Sequence, residues 1–107
     1  MTLRFHPSAR AELCNLARWY EKQNEGLGAE LRDDIARAIA AIVEKPTRWP
    51  LSPLPKARAL GVRRFVIDRF PLTVEYLTDG DVLYVLAVTH TSRRPGYWQR
   101  RLRRRSS

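Results

Sequence analysis

Asp79-Gly80-Asp81-Val82-Leu83-Tyr84-Val85-Leu86-Ala87-Val88 is the stretch that decides the fold. Val82 to Val88 carries no charge and is too short for a typical helix. Such a run reads as a strand buried on both faces, so it belongs at the centre of a sheet. Asp79-Gly80 ahead of it is a hairpin turn pair. The preceding segment, Leu72 to Leu77, holds the strand formers Thr73, Val74 and Tyr76 and is expected to pair with it antiparallel. Leu60 to Ile67, with Val62, Phe65, Val66 and Ile67, reads as a third strand of the same sheet.

Upstream the period changes. Ala9, Leu13, Leu16, Ala17 and Tyr20 recur at helical spacing, and Pro7 suits a first helical turn. The spacing predicts a helix over Pro7 to Gln23, a turn at Asn24-Glu25-Gly26-Leu27-Gly28, and a second helix striped by Leu31, Ile35, Ala38, Ile39 and Ile42. That helix should stop near Lys45, because Pro46 disfavours helical geometry in the residue before it. Thr2 to Phe5 reads as a short first strand. Residues 46–58, punctuated by four prolines, read as a loop without regular structure, with Trp49 pinning it to the core. The order β-α-α-β-β-β describes an α+β domain: a small antiparallel sheet packed against an N-terminal helical hairpin. A chain of 107 residues is one domain. Its reach is read as 1–98, with 99–107 a basic tail.

Beyond Val88 comes His90-Thr91-Ser92-Arg93-Arg94-Pro95-Gly96-Tyr97-Trp98, then Gln99-Arg100-Arg101-Leu102-Arg103-Arg104-Arg105. The formal charge is +9, and it is not spread evenly. Seven arginines and no acid lie at 93–105, so residues 1–92 carry 13 basic against 11 acidic groups. Groups that titrate, stack and pair with anions therefore gather where the central strand ends, which suits a polyanion or an acidic protein partner.

No apolar run approaches the length of a membrane span, and the N-terminus lacks the apolar core of a signal peptide. No membrane role is expected. The single cysteine, Cys14, lies in a helical pattern and reads as a packing residue in a reducing cytoplasm. One cysteine and two histidines make no metal cluster, and no phosphate-binding glycine loop occurs, so neither metal nor cofactor is expected. Asp33-Asp34 reads as a solvated pair. Arg63 and Arg64, on one strand, must point to opposite faces; Arg63 is assigned to the terminal cluster. His90 either fixes its loop through a backbone carbonyl or transfers protons. Metal-free RNA cleavage would need a base and cations around a phosphate, and Arg63, His90, Arg93 and Tyr97 are the candidates for it. A binding site would draw on the same residue types: Arg63, His90, Arg93, Arg94, Tyr97, Trp98, Arg100 and Arg101.

The chain resembles toxins of the RelE/ParE superfamily from bacterial type II toxin–antitoxin modules. The likeness runs from Phe5-His6-Pro7-Ser8-Ala9 and Trp19-Tyr20 through Val62-Arg63-Arg64-Phe65 and Phe70-Pro71 with Tyr76. It ends on the His90 to Trp98 stretch, which matches the ParE-like branch. The resemblance implies a small α+β fold and a hetero-oligomer with a cognate antitoxin that neutralises the toxin. ParE-type members poison DNA gyrase; RelE-type members cleave messenger RNA on the ribosome. The ParE likeness favours gyrase and a binding protein over an enzyme. The alternatives are the ribonuclease and an inactive homologue acting only in a repressor complex. Leu13, Leu16, Trp19 and Tyr20 are the candidate antitoxin contacts.

Overall fold

The computed structural model describes residues 1–102. Strand β1 (Thr2–Phe5) leads into α1 (Pro7–Gln23) and α2 (Leu27–Glu44), followed by a short α3 (Pro55–Ala59). Strands β2 (Arg63–Ile67), β3 (Leu72–Asp79) and β4 (Val82–His90) follow, and a 3-10 turn at Gln99–Leu102 closes the described chain. The sheet order is β1-β4-β3-β2. β2, β3 and β4 run antiparallel, as the tight turns require, but β1 joins β4 in parallel, from Thr2 opposite Val82 to Phe5 opposite Val85. The sheet is therefore mixed. No hairpin links β1 to its neighbour, so turn chemistry carries no information about its direction; the α-hairpin crossover sets it.

β4 is central and buried on both faces. One face carries Leu83, Val85 and Val88 with Val74 and Tyr76 of β3, packed on Leu31, Ile35, Ala38 and Ile42 of α2 and Ala9 and Ala17 of α1. The opposite face carries Leu86, Ala87 and Leu77 under Ala57 of α3, Trp98 and Leu102. A bulge makes this possible. Glu75 pairs with Ala87 but Tyr76 pairs with Val85, so Leu86 is the extra residue, and it shares a face with Ala87. The proline-rich segment is thus not wholly irregular. Pro55 starts α3, where a missing N–H costs nothing, and Ala57 becomes the lid of the second core. Trp49 does pin its loop, edge-on to Phe65 with centroids 4.4 Å apart. The Tyr76 hydroxyl donates to the Pro46 carbonyl at 2.6 Å.

The hairpin is tight where it turns. Gly26 caps α2 at φ 87°, and no side chain of its own caps the helix. Glu21 of α1 does so instead, its carboxylate accepting the Gly26 and Gly28 N–H groups at 3.0 and 2.9 Å. Those bonds hold the carboxyl below its usual range. A Cβ on Gly28 would lie 2.5 Å from the Ala17 carbonyl, so the helices can approach this closely only over glycine.

β1 ends at Phe5, yet β4 runs on to His90. Beyond that point side chains take up its backbone groups. The Val88 N–H donates to Glu12 of α1 at 3.1 Å, and Arg101 donates to the Leu86 carbonyl at 2.7 Å. Glu12 and Arg101 also pair with each other through two contacts of 3.0 and 2.9 Å, both side chains largely buried. The folded chain therefore continues past Trp98, since Leu102 is 5% exposed. Only Arg103, Arg104 and Arg105 of the arginine run lie outside the described residues. Breaking a buried pair strands the remaining charge. Arg101→Ala and Glu12→Ala are each expected to lower unfolding free energy by about 3 kcal/mol in urea denaturation, a loss that a freely solvated tail arginine would not produce.

Candidate functional site

Two polar depressions flank the C-terminal segment. The first is an open cleft of about 400 Å³ lined by His6, Ser8, Arg93, Tyr97, Arg100 and Arg101. Its wall is the start of α1, where the His6 imidazole Nδ1 accepts the Ser8 N–H at 3.0 Å as a helix cap. Its centre is the Tyr97 ring. Arg93 lies over that ring, its guanidinium carbon 4.0 Å from the centroid, and Arg101 approaches it at 5.4 Å. The Tyr97 hydroxyl donates to Glu12 in a short hydrogen bond. Burial, then the bond to Glu12 and that carboxylate's charge, push the phenol above its ordinary value, against the Thr89 hydroxyl and Arg93. Tyr97 is thus held protonated as a donor.

The second depression, about 120 Å³, lies on the sheet face away from the hairpin and is lined in part by Arg64, Thr73, Glu75, Thr89, Thr91 and Arg94. Glu75 at its floor is 4% exposed. Burial raises its carboxyl above the ordinary 4.5, opposed by a Thr73 hydrogen bond and the charge of Arg64. The two charges do not close a hydrogen bond: Arg64 Nε stands 3.9 Å from Glu75 Oε2, and this buried nitrogen has no hydrogen-bond partner.

The residues singled out in the sequence scatter among these places. Arg93, Tyr97, Arg100 and Arg101 share the first cleft, but Arg101 is turned inward on Glu12 and Leu86. Arg94 belongs to the second. Trp98, at 2% exposed, is core beneath the sheet and has no surface to offer a partner. Arg63 joins neither cleft. It pairs with Tyr76 on the hairpin face and donates to the Trp49 carbonyl at 2.6 Å; its neighbour Arg64 is the strand arginine that faces the terminal segment. His90 stands opposite Leu72 at the sheet's end, where its Nδ1 lies 2.7 Å from the Ser92 hydroxyl and accepts the Ser92 N–H at 3.1 Å. Its side-chain bonds are to Ser92 and not to the backbone carbonyl that one reading expected. On the hairpin, Leu13, Leu16 and Tyr20 pack against the core, while Trp19 is 55% exposed. Trp19 rests edge-on to Tyr20, 4.9 Å between centroids, and Tyr20 rests in the same way on Phe70.

Glu12, Arg64 and Glu75 are the site residues that sequence reasoning passed over. Glu75 had a visible signal, a lone carboxylate in the apolar run Leu72 to Leu77. Glu12 had none, since it occupies an ordinary polar position of an amphipathic helix. No metal-holding group of His, Cys, Asp and Glu occurs among the described residues. No described helix is long and apolar enough to cross a membrane.

A sequence model described as the ParE toxin of the type II toxin–antitoxin system parDE matches residues 3–95. Among solved structures the chain is similar to one from the chromosomal ParDE toxin–antitoxin system of P. aeruginosa. The two are 20% identical with a TM-score of 0.67 over 84% of this chain and 95% of that one. That likeness bears on the fold. No curated protein matches.

The buried carboxyl of Glu75 makes a pH-dependent contribution whose sign follows from its raised pKa. Its proton is held more firmly in the folded state, so its contribution is fully present below the unfolded value of 4.5 and is lost as pH rises through the folded one. Glu75→Gln is expected to melt close to the native chain in acid and progressively above it toward neutral pH. A melting-temperature difference that stays constant across that range would contradict the assignment.

Proposed function

The chain belongs to the ParE toxin family of type II toxin–antitoxin systems, and we propose that it acts by binding DNA gyrase and is silenced by a cognate antitoxin. The observation that carries the binding reading over cleavage is the dispersal of the proton-transfer candidates. A ribonuclease needs a base and cations around one phosphate. Here the Tyr97 hydroxyl is engaged by Glu12, His90 by Ser92, and Arg63 by the Trp49 carbonyl, outside the cleft that holds Arg93 and Tyr97. The sheet-face depression has a carboxylate at its floor, which a phosphate would meet unfavourably. The family's parDE system supplies the class of partner, an antitoxin, and the cytoplasm is the compartment where gyrase and antitoxin are both met. Purified protein tested in parallel is expected to block gyrase supercoiling and to leave ribosome-bound messenger intact. Metal-independent messenger cleavage that disappears in His90→Ala would overturn this reading.

The antitoxin is proposed to dock on the helical hairpin. Trp19 is the anchor there, because Leu13, Leu16 and Tyr20 are largely spent on the core. A groove of the same hairpin, between Cys14, Ala17, Arg18 and Glu21 of α1 and Gly28, Ala29 and Arg32 of α2, is lined by small residues and by two arginines against one carboxylate. That shape suits an amphipathic helix with acidic flanks. Trp19→Ala is expected to weaken antitoxin binding by about 30-fold, the scale of an aromatic hot spot, with thermal stability nearly unchanged. Unchanged affinity in calorimetric titration would move the docking site elsewhere.

A further inference from the structure

The cleft at the start of α1 holds more positive charge than the fold uses. No acid is among its lining residues, and Glu12, which bonds two of them, is already matched by Arg101 and by the Tyr97 hydroxyl. Arg93 and Arg100 have no acidic partner among the described residues, and both are exposed on the same cleft. The first turn of α1 has no acid either, so the positive end of a 17-residue helix is left uncompensated at the same wall. Ser8 adds a hydroxyl to the lining. Arg93 is not a loose surface cation. Its backbone N–H donates to the His90 carbonyl at 3.0 Å, and its guanidinium is stacked on the Tyr97 ring, which the bond to Glu12 holds in place.

A cleft with two unmatched guanidiniums, one of them pre-oriented, suits an oxyanion that guanidinium groups can grip in two-pronged fashion. We infer that this cleft seats a backbone phosphate of duplex DNA between Arg93 and Arg100, with the Ser8 hydroxyl as a further donor. That the duplex is the one held by gyrase rests on the function proposed above; the cleft's affinity for a phosphodiester does not. The two clefts thereby divide the work. The first contacts DNA, and the sheet-face depression, with its buried carboxylate, does not.

The test uses the full chain, arginine run included, with a short fluorescein-labelled DNA duplex followed by anisotropy over a range of potassium chloride. Arg93→Gln with Arg100→Gln is compared with a charge-matched control, Arg48→Gln with Arg58→Gln, on the proline-rich segment. All four arginines are exposed, and circular dichroism melts verify that each protein is folded. The cleft variant is expected to lower the slope of log affinity against log salt by about one, the share of a single phosphate, and the control to leave it close to native. Equal losses in both variants would reduce the effect to net charge and overturn the site. Tighter binding of single-stranded RNA than of the duplex would overturn DNA as the source. The same proteins then enter the supercoiling assay. A cleft variant that fails to bind DNA yet inhibits gyrase fully would sever the cleft from gyrase. Arg93- and Arg100-dependent DNA binding by a native protein that does not inhibit gyrase would uphold the cleft while the gyrase reading fell.

Discussion

A strand longer than its neighbour leaves backbone groups to be satisfied, and in this protein a buried ion pair satisfies them. β1 accompanies β4 only to Val85. From there Glu12 and Arg101 take up the Val88 N–H and the Leu86 carbonyl while neutralising each other. An unpaired buried amide or carbonyl costs on the order of 1–3 kcal/mol, and an unpaired buried charge costs more. The four groups are therefore tolerable only together. Because Glu12 lies on α1 and Arg101 at the chain's far end, this one constraint ties the hairpin, the central strand and the C-terminal segment into a single body.

The functional surface follows from that tie. Fixing Arg101 draws Trp98 and Leu102 under the sheet, where they complete the second core with Ala57 and Leu86. The same carboxylate holds the Tyr97 hydroxyl, and the Tyr97 ring in turn carries Arg93. An arginine committed inward thus orients one committed outward. Of the arginines lining that cleft, Arg93 and Arg100 are the ones left exposed. Farther along α1 the hairpin keeps one large aromatic, Trp19, outside the core.

Much of the fold was legible because patterning is local. The apolar run Val82 to Val88 could be placed only at the centre of a sheet, and the stripes of α1 and α2 gave their bounds to within a residue or two. What escaped was set by tertiary contact. The parallel direction of β1 depends on the crossover and not on any turn residue. α3 was hidden among prolines that elsewhere break structure. Alternation showed that Arg63 and Arg64 must diverge but not which of them faces the C-terminal segment; the pairing of Arg63 with Tyr76 and of Arg64 with Glu75 settles it. In the run from Arg100 onward, nothing in composition separates the exposed Arg100 from Arg101, whose partners lie 89 and 15 residues away. Trp98 was ambiguous for the same reason: an aromatic beside arginines reads equally as a stacking platform or as core.

Amide hydrogen exchange at Val88 tests this account most directly. This N–H has no strand partner in β1 and is bonded to a carboxylate oxygen of Glu12. If the Glu12–Arg101 pair seals the strand, the Val88 amide exchanges only on global unfolding, as slowly as the ladder amides of β3 and β4, and Arg101→Ala speeds its exchange far more than theirs. Exchange at Val88 on the timescale of an exposed loop in the native protein would contradict it.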